Sequence, residues 1–291
     1  ISDDENPFIS FVSFPDPHHP FTPPGKYWDM YSPEDFNVNL TYEAHKNPTP
    51  PMKWLYDNWK NESGQFSPQT AMMLDNEKIK QAMALTGGMI SMVDDAIGDI
   101  MSVLNNSDQA KNTIVCFNSD HGDYLGDFNM LLKGALPFNA VTNVPFIWSD
   151  PQNETKQTSD DLASTIDIST TILDRAGIGP FNGMKGKSLM PSIRNEGFSR
   201  EHLLIEYNDG GARLGFETPA RVRTIITSSY KFNIYLDQDW GELYDLAIDP
   251  SETNNLWDDS NYSNIKAKLS LSMNQELIGL MDESPKSKRP A

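Results

Sequence analysis

Between Asp75 and Asn105 the apolar residues Ile79, Met83, Ile90, Val93, Ile97, Ile100 and Leu104 recur at intervals of three, four and seven. That spacing lines one stripe of an α-helix and fits no strand, where side chains alternate between faces at every step. Gly87-Gly88 interrupts the run and marks a kink or a close packing contact. A long helix with one apolar stripe needs a surface to lie on, and its neighbours in the chain supply one. Asn6 to Phe14 has the apolar, β-branched and aromatic content of a buried strand, and so do Thr113 to Asn118 and Val144 to Trp148. A further helix is expected over about Asp161 to Ala176, stopped by Gly177. Strand, long helix, strand, loop, strand, helix is the order of an α/β sheet covered by helices.

After Gly186-Lys-Ser-Leu-Met-Pro191 the character changes. His202 to Tyr207, Arg221 to Thr227 and Lys231 to Leu236 look like strands joined by short turns, which predicts an antiparallel sheet, with a helix near Ile265 to Met281. The expected architecture is therefore α/β over residues 1–194, part of a mixed sheet flanked by helices. A small α+β subdomain follows over residues 195–291. Tyr27 to about Gln69 is aromatic, Pro-rich and weakly periodic, an excursion with short helices at most, and the tail Pro285–Pro290 is expected to fray. The chain starts at Ile1 and enters an apolar run almost at once, so we expect sequence upstream of it.

With 41 acidic against 23 basic residues the net charge is -18, which argues against a nucleic-acid surface and an anionic membrane face. One cysteine, Cys116, rules out an intrachain disulfide framework, and its apolar surroundings predict an inert thiol. No apolar run approaches the ~18 residues that mark a spanning helix.

Three places carry chemistry. Asn118-Ser-Asp-His-Gly-Asp123 leaves an apolar strand directly, and Gly122 gives the backbone freedom for Asp120 and His121 to swing toward one point. A carboxylate oxygen and an imidazole nitrogen make half of a divalent-cation site, although an Asp-His pair also serves as a polar turn. Lys133, in the loop returning to the next strand, can meet an oxyanion as a point charge; a lone loop lysine is otherwise a solvated one. Pro17-His18-His19-Pro20 sets two of the five histidines in a proline-stiffened loop, where an acid or base is held at little entropic cost. Asp94-Asp95 is expected to be solvated or capping, and no Gly-x-Ser-x-Gly elbow, Gly-x-Gly-x-x-Gly run or P-loop is present.

Taken in order, these segments resemble the sulfatase family of the alkaline phosphatase superfamily. The resemblance rests on Phe11-Val-Ser-Phe-Pro-Asp-Pro-His-His-Pro-Phe21, Met92-Val-Asp-Asp-Ala-Ile-Gly98, Asn112 to Gly126, Val144-Pro-Phe-Ile147, Thr165 to Gly177, Gly186-Lys-Ser-Leu189 and Gly241 to Leu256. It implies that Asp120 and His121 are metal ligands and that Lys133 contacts the sulfate and bridging oxygens. It also implies that His18 binds substrate and protonates the leaving group, with His19 second to it. The implied metal is calcium, with manganese or zinc as alternatives because His121 is a softer donor. The implied substrate is a small-molecule or saccharide sulfate ester, and the implied compartment is periplasmic or secreted.

The departures are specific. The family attacks sulfur with a formylglycine made within Cys/Ser-x-Pro-x-Arg, and no such run occurs here; Cys116, Ser32-Pro33 and Ser67-Pro68 do not supply it. The family's early Asp-Asp metal pair has no counterpart before Ile9. We therefore expect a carboxy-terminal portion that is inactive alone, with a missing amino-terminal segment or a second copy as its partner. Two other readings stay open: a phosphonate or phosphate monoester hydrolase of the same superfamily, and a truncated, non-catalytic chain.

Overall fold

The computed structural model describes residues 7–61, 72–153 and 156–281; Ser67-Pro68 and the tail after Met281 lie outside them. The fold is α/β, and the chain divides into two compact units. The first comprises Ile1–Ala44, Leu55–Lys133 and Ala140–Glu154; the second His45–Trp54, Gly134–Asn139 and Thr155–Ala291. Helix α1, Pro50–Lys60, is a regular element within the excursion where only short helices were expected.

The long amphipathic run forms helix α2, Asn76–Asn105. Asp75 caps it by accepting the Lys78 backbone N–H at 2.9 Å, satisfying one of the donors a helix start leaves unpaired. Burial is concentrated in its amino-terminal half, where Ile79, Ala82, Ala84, Thr86, Gly88 and Met89 are inside, and returns at Leu104, whereas Ile90 and Ile100 of the expected stripe are exposed. Gly88 is a packing contact, since a Cβ there would stand 2.2 Å from the Tyr27 carbonyl oxygen. Asp95 is an exposed ligand of its neighbours, accepting from Lys26 Nζ and the Tyr27 hydroxyl, each at 2.7 Å.

Strand β1, Val115–Asn118, pairs antiparallel with β2, Phe146–Ser149, with Asn118 opposite Phe146. The one-turn helix α3, Asn139–Thr142, lies between them in sequence. Residues 7–14 depart from expectation. They have no ladder partner among the described residues, and Ile9 and Phe11 are 94% and 92% exposed. Strand-like composition records fitness for a pleated, half-buried surface and does not provide that surface.

In the second unit come helices α4, Asp167–Arg175, and α5, Met190–Ile193. They precede an antiparallel sheet of β3, Leu203–Asn208; β4, Arg221–Ile226; β5, Tyr230–Tyr235; and β6, Gly241–Asp245, in that spatial order. The first three match the expected strands, whereas β6 was legible only as part of a closing motif. Helix α6, Ser263–Leu280, lays Leu269 and Met273 on Ile225, Phe232 and Leu243 of the sheet. At the start of α4, buried Asp167 receives the Arg200 guanidinium through two bonds of 2.6 and 2.8 Å and the Lys187 N–H at 2.7 Å.

The other charges inside this unit are more costly. Lys231 is fully buried; it pairs with Glu252 and donates to the Pro137 carbonyl at 3.1 Å, while Glu252 accepts the Asn139 N–H at 2.6 Å. Glu242 accepts from Asn233 Nδ2 and the Tyr235 hydroxyl, both at 2.7 Å, and from the Tyr244 hydroxyl at 3.2 Å. Tyr244 in turn meets His45 Nε2 at 3.0 Å. Burial lowers the His45 pKa to about 4, opposed by the charge of Asp249.

Removing one partner from a buried pair strands the other charge. Lys231→Met should therefore cost about 3–5 kcal/mol in chemical denaturation, and an undiminished midpoint would refute the pairing. His45 makes a separate contribution. Its folded pKa is depressed, so the unfolded chain takes up the proton first as pH falls. Stability should drop between about pH 6.5 and 4, and thermal melts of His45→Gln against pH should lack that component.

Candidate metal and anion site

β1 ends at Asn118, and the four residues after it leave the regular pleat, which frees Asp120 and His121 from pointing to opposite faces. Asp120 Oδ1 accepts the His121 backbone N–H at 2.9 Å, and its Oδ2 lies 3.6 Å from His121 Nε2. His121 Nδ1 sits 2.8 Å from the Gly122 carbonyl oxygen. A carbonyl only accepts, so Nδ1 donates to it and Nε2 is the ring nitrogen that faces Asp120 and can serve as a ligand. Ser119 Oγ donates to the His121 carbonyl at 2.9 Å and steadies the turn. The Asp120 side chain is 85% exposed, open to a third party. The pair fits a divalent cation as half of its shell. Among the described residues no group of three or more His, Cys, Asp or Glu is placed to hold a metal ion.

Gly122 is the hinge between this pair and the next loop. Its N–H donates to Val141 O at 2.9 Å, and a Cβ on it would stand 1.9 Å from Ala140 O. The chain then folds back on itself from Asp123 to Lys133. Tyr124 N–H bonds Leu132 O at 2.8 Å and Gly126 N–H bonds Met130 O at 2.7 Å. Four residues without glycine's freedom, Leu125, Phe128, Asn129 and Leu132, hold positive φ, at 39°, 55°, 60° and 70°. Such conformations persist only where the surroundings over-determine them, and they cluster at functional sites.

Lys133, half-buried at the end of this loop, is electrostatically coupled to His19. Partial burial lowers the His19 pKa, and the neighbouring His18 and Lys133 lower it further, while Asp123 opposes them. Burial pushes the Asp123 carboxyl up, opposed by the N–H groups of Leu125 and Leu132 and by the charges of Lys133 and His19. His18 stacks on His19 with ring centroids 4.0 Å apart, and its Nδ1 is 2.7 Å from His19 O. The structure thus gathers His18, His19, Lys133 and Asp123 as one group and Asp120 with His121 as another, joined through Gly122. The charge of Lys133 bears on His19, which the sequence ranked second. Asp123 was legible only as an acid after a glycine. Cys116 is half-buried, and burial pushes its thiol up, as befits an inert residue.

The chain matches the family Sulfatase over residues 1–178 and the family N-sulphoglucosamine sulphohydrolase, C-terminal, over residues 132–278. It is 30% identical over 264 residues to an arylsulfatase of Clostridium perfringens, covering 89% of this chain and 51% of that protein. A solved 2-O GAG sulfatase superposes with a TM-score of 0.70 at 26% identity, over 84% of this chain and 51% of that one. A phosphonate monoester hydrolase of Agrobacterium radiobacter shares the fold, with a TM-score of 0.78 at 24% identity over 99% and 62% of the two chains. The chain thus spans about half the length of the curated relatives it matches.

Gly122→Ala tests the hinge. The added methyl must displace the Ala140 carbonyl, and overpacking of this kind costs about 1–3 kcal/mol. The variant should lose that much in denaturant melts and shift the Ala140 and Val141 amide resonances; a neutral substitution would refute the close approach.

Proposed function

This chain belongs to the sulfatase family, and from that premise we propose that it supplies half of the metal site and the anion-binding lysine of an enzyme that hydrolyses sulfate esters. Residues 1–194 then belong to its catalytic α/β domain and residues 195–291 to its carboxy-terminal α+β subdomain. The observation that carries the reading is the end of β1, where a carboxylate oxygen and an imidazole nitrogen stand 3.6 Å apart while the other ring nitrogen donates to the Gly122 carbonyl.

Asp120 and His121 would hold a divalent cation, calcium in the first instance. When bound, such a cation supplies Lewis-acid stabilisation of a sulfate oxygen. The chain's own contribution is then positioning and charge. Lys133 meets the remaining anionic oxygens as a point donor, fixed in place before the reaction and therefore without reorganisation cost. His18, exposed at the loop tip, hands a proton to the departing oxygen, and His19 beneath it keeps the ring plane through stacking. No Cys/Ser-x-Pro-x-Arg run lies within the 291 residues, so the formylglycine nucleophile of the family is not furnished by them, and this chain alone turns over no ester. A sulfated saccharide is the substrate class we favour, by analogy with the 2-O GAG sulfatase of like fold.

A phosphonate or phosphate monoester hydrolase is the second reading. Its supports are the likeness of fold to the Agrobacterium radiobacter enzyme and the nitrogen donor of His121, which suits zinc or manganese as well as calcium.

Calorimetric titration of the chain with calcium and with inorganic sulfate tests the proposal. Two ligands hold a metal weakly, so calcium should bind with a dissociation constant on the order of millimolar and be lost in Asp120→Ala. Sulfate binding should fall on the order of tenfold in Lys133→Met. Phosphate bound in clear preference to sulfate would favour the second reading. Binding of neither calcium nor any oxyanion would favour a non-catalytic chain.

A further inference from the structure

Asp123 lies in the chain between the metal pair and the lysine and makes no ion pair with any of them. Its bonds go to the backbone. One carboxylate oxygen, Oδ1, accepts both the Leu125 N–H at 2.9 Å and the Leu132 N–H at 2.8 Å. These two leucines are the first and last of the four non-glycine positive-φ residues in the loop. Side chains with a Cβ rarely adopt that conformation, so a single oxygen stabilises both strained ends of the loop at once.

Leu132 immediately precedes Lys133, and fixing its N–H fixes the peptide from which the lysine departs. The same loop is rooted in the core, where Leu131 packs on Ile79 and Ala82 with Leu125 and Leu132 beside them. Asp123 is half-buried, and burying a carboxylate is unfavourable unless it is hydrogen-bonded or paired. Its retention in this place is accounted for by what its oxygen holds.

We propose that Asp123 is the positioning residue for Lys133, closing the 123–132 loop from within so that the ammonium is presented to an anionic oxygen of the substrate. The proposal rests on the reading of Lys133 as the anion contact, and the experiment separates the two.

Four forms of the whole 291-residue chain are compared: the parent, Asp123→Asn, Asp123→Ala and Lys133→Met. Asparagine keeps an acceptor oxygen where the carboxylate stood, and alanine removes it. Two quantities are measured by NMR: hydrogen exchange at the Leu132 and Lys133 amides, and the affinity for inorganic sulfate. Asp123→Ala should speed Leu132 exchange and weaken sulfate binding, each on the order of tenfold. Asp123→Asn should recover most of both, with exchange at Ile79 in α2 unchanged throughout. The proposal is overturned if Leu132 exchange is unaltered in the alanine variant. It is equally overturned if the asparagine variant is as impaired as the alanine one, which would assign the effect to charge and not to the hydrogen bonds. Should Lys133→Met bind sulfate like the parent, the anion-contact reading fails by itself, and Leu132 exchange still decides the role of Asp123. If the alanine variant does not fold, Asp123→Ser replaces it under the same criteria, because its shorter side chain cannot reach both N–H groups.

Discussion

Asn129 is held at a φ of 60°, buried, with its amide group shared among three stretches of chain. Its Oδ1 accepts the Tyr42 N–H at 2.9 Å, and its Nδ2 donates to Asn76 Oδ1 at 2.8 Å and to Leu74 O at 3.3 Å. Backbone bonds run parallel to these, from Leu74 N–H to Asn129 O at 3.0 Å, Leu131 N–H to Met72 O at 2.8 Å and Phe128 N–H to Leu40 O at 2.7 Å. The start of α2, the Leu40–Tyr42 turn and the Asp123–Lys133 loop are thus locked by one side chain and the peptide groups around it. Asparagine is among the few residues that tolerate the left-handed region while bonding locally. An apolar residue there would leave buried N–H and C=O groups unpaired. The strained loop that ends in Lys133 persists because this lock surrounds it.

The features legible in the sequence are those with a local physical cause. The apolar period announced α2 to within a residue, and the turn after β1 announced itself by a glycine beside two ligand-type side chains. What stayed illegible depends on distant partners. Asp123 matters through a backbone N–H nine positions onward, and nothing in its neighbours signals that bond. Four positive-φ residues in one loop, three of them leucine or phenylalanine, contradict local preference, so only the surrounding lock explains them. Residues 7–14 show the converse: their composition is that of a core strand, and burial did not follow from composition.

The second unit uses polarity in another way. Around β5 and β6 the side chains of Lys231, Glu252, Glu242, Tyr235, Tyr244, Asn233 and His45 bond to one another or to nearby main chain. A buried network of this kind is not a source of large net stability, since desolvation offsets most of the attraction. Its effect is directional. An apolar core of Ile225, Phe232, Leu243, Leu269 and Met273 tolerates small shifts, whereas each hydrogen bond in the polar layer accepts one geometry. The layer therefore specifies which residues of the 134–139 segment meet the sheet, through Pro137 O and the Asn139 N–H.

A chain of net charge -18 is an unpromising receptor for an anionic ester if charge is counted globally. Counted locally, the picture inverts. At physiological ionic strength, exposed charges more than about 8 Å apart are largely screened, so the many surface carboxylates contribute little at the end of β1. What a sulfate oxygen would meet there is Lys133, two imidazoles and whatever cation Asp120 and His121 hold. The acid that opens the loop, Asp123, is engaged by two backbone N–H groups, and burial has already raised its pKa. Backbone donors take up the charge of the carboxylate that interacts with the lysine, and this leaves the ammonium available to a second anion. The acidic surface and the anion site are thus compatible because the site's own carboxylates are assigned, one to the loop and one to the metal.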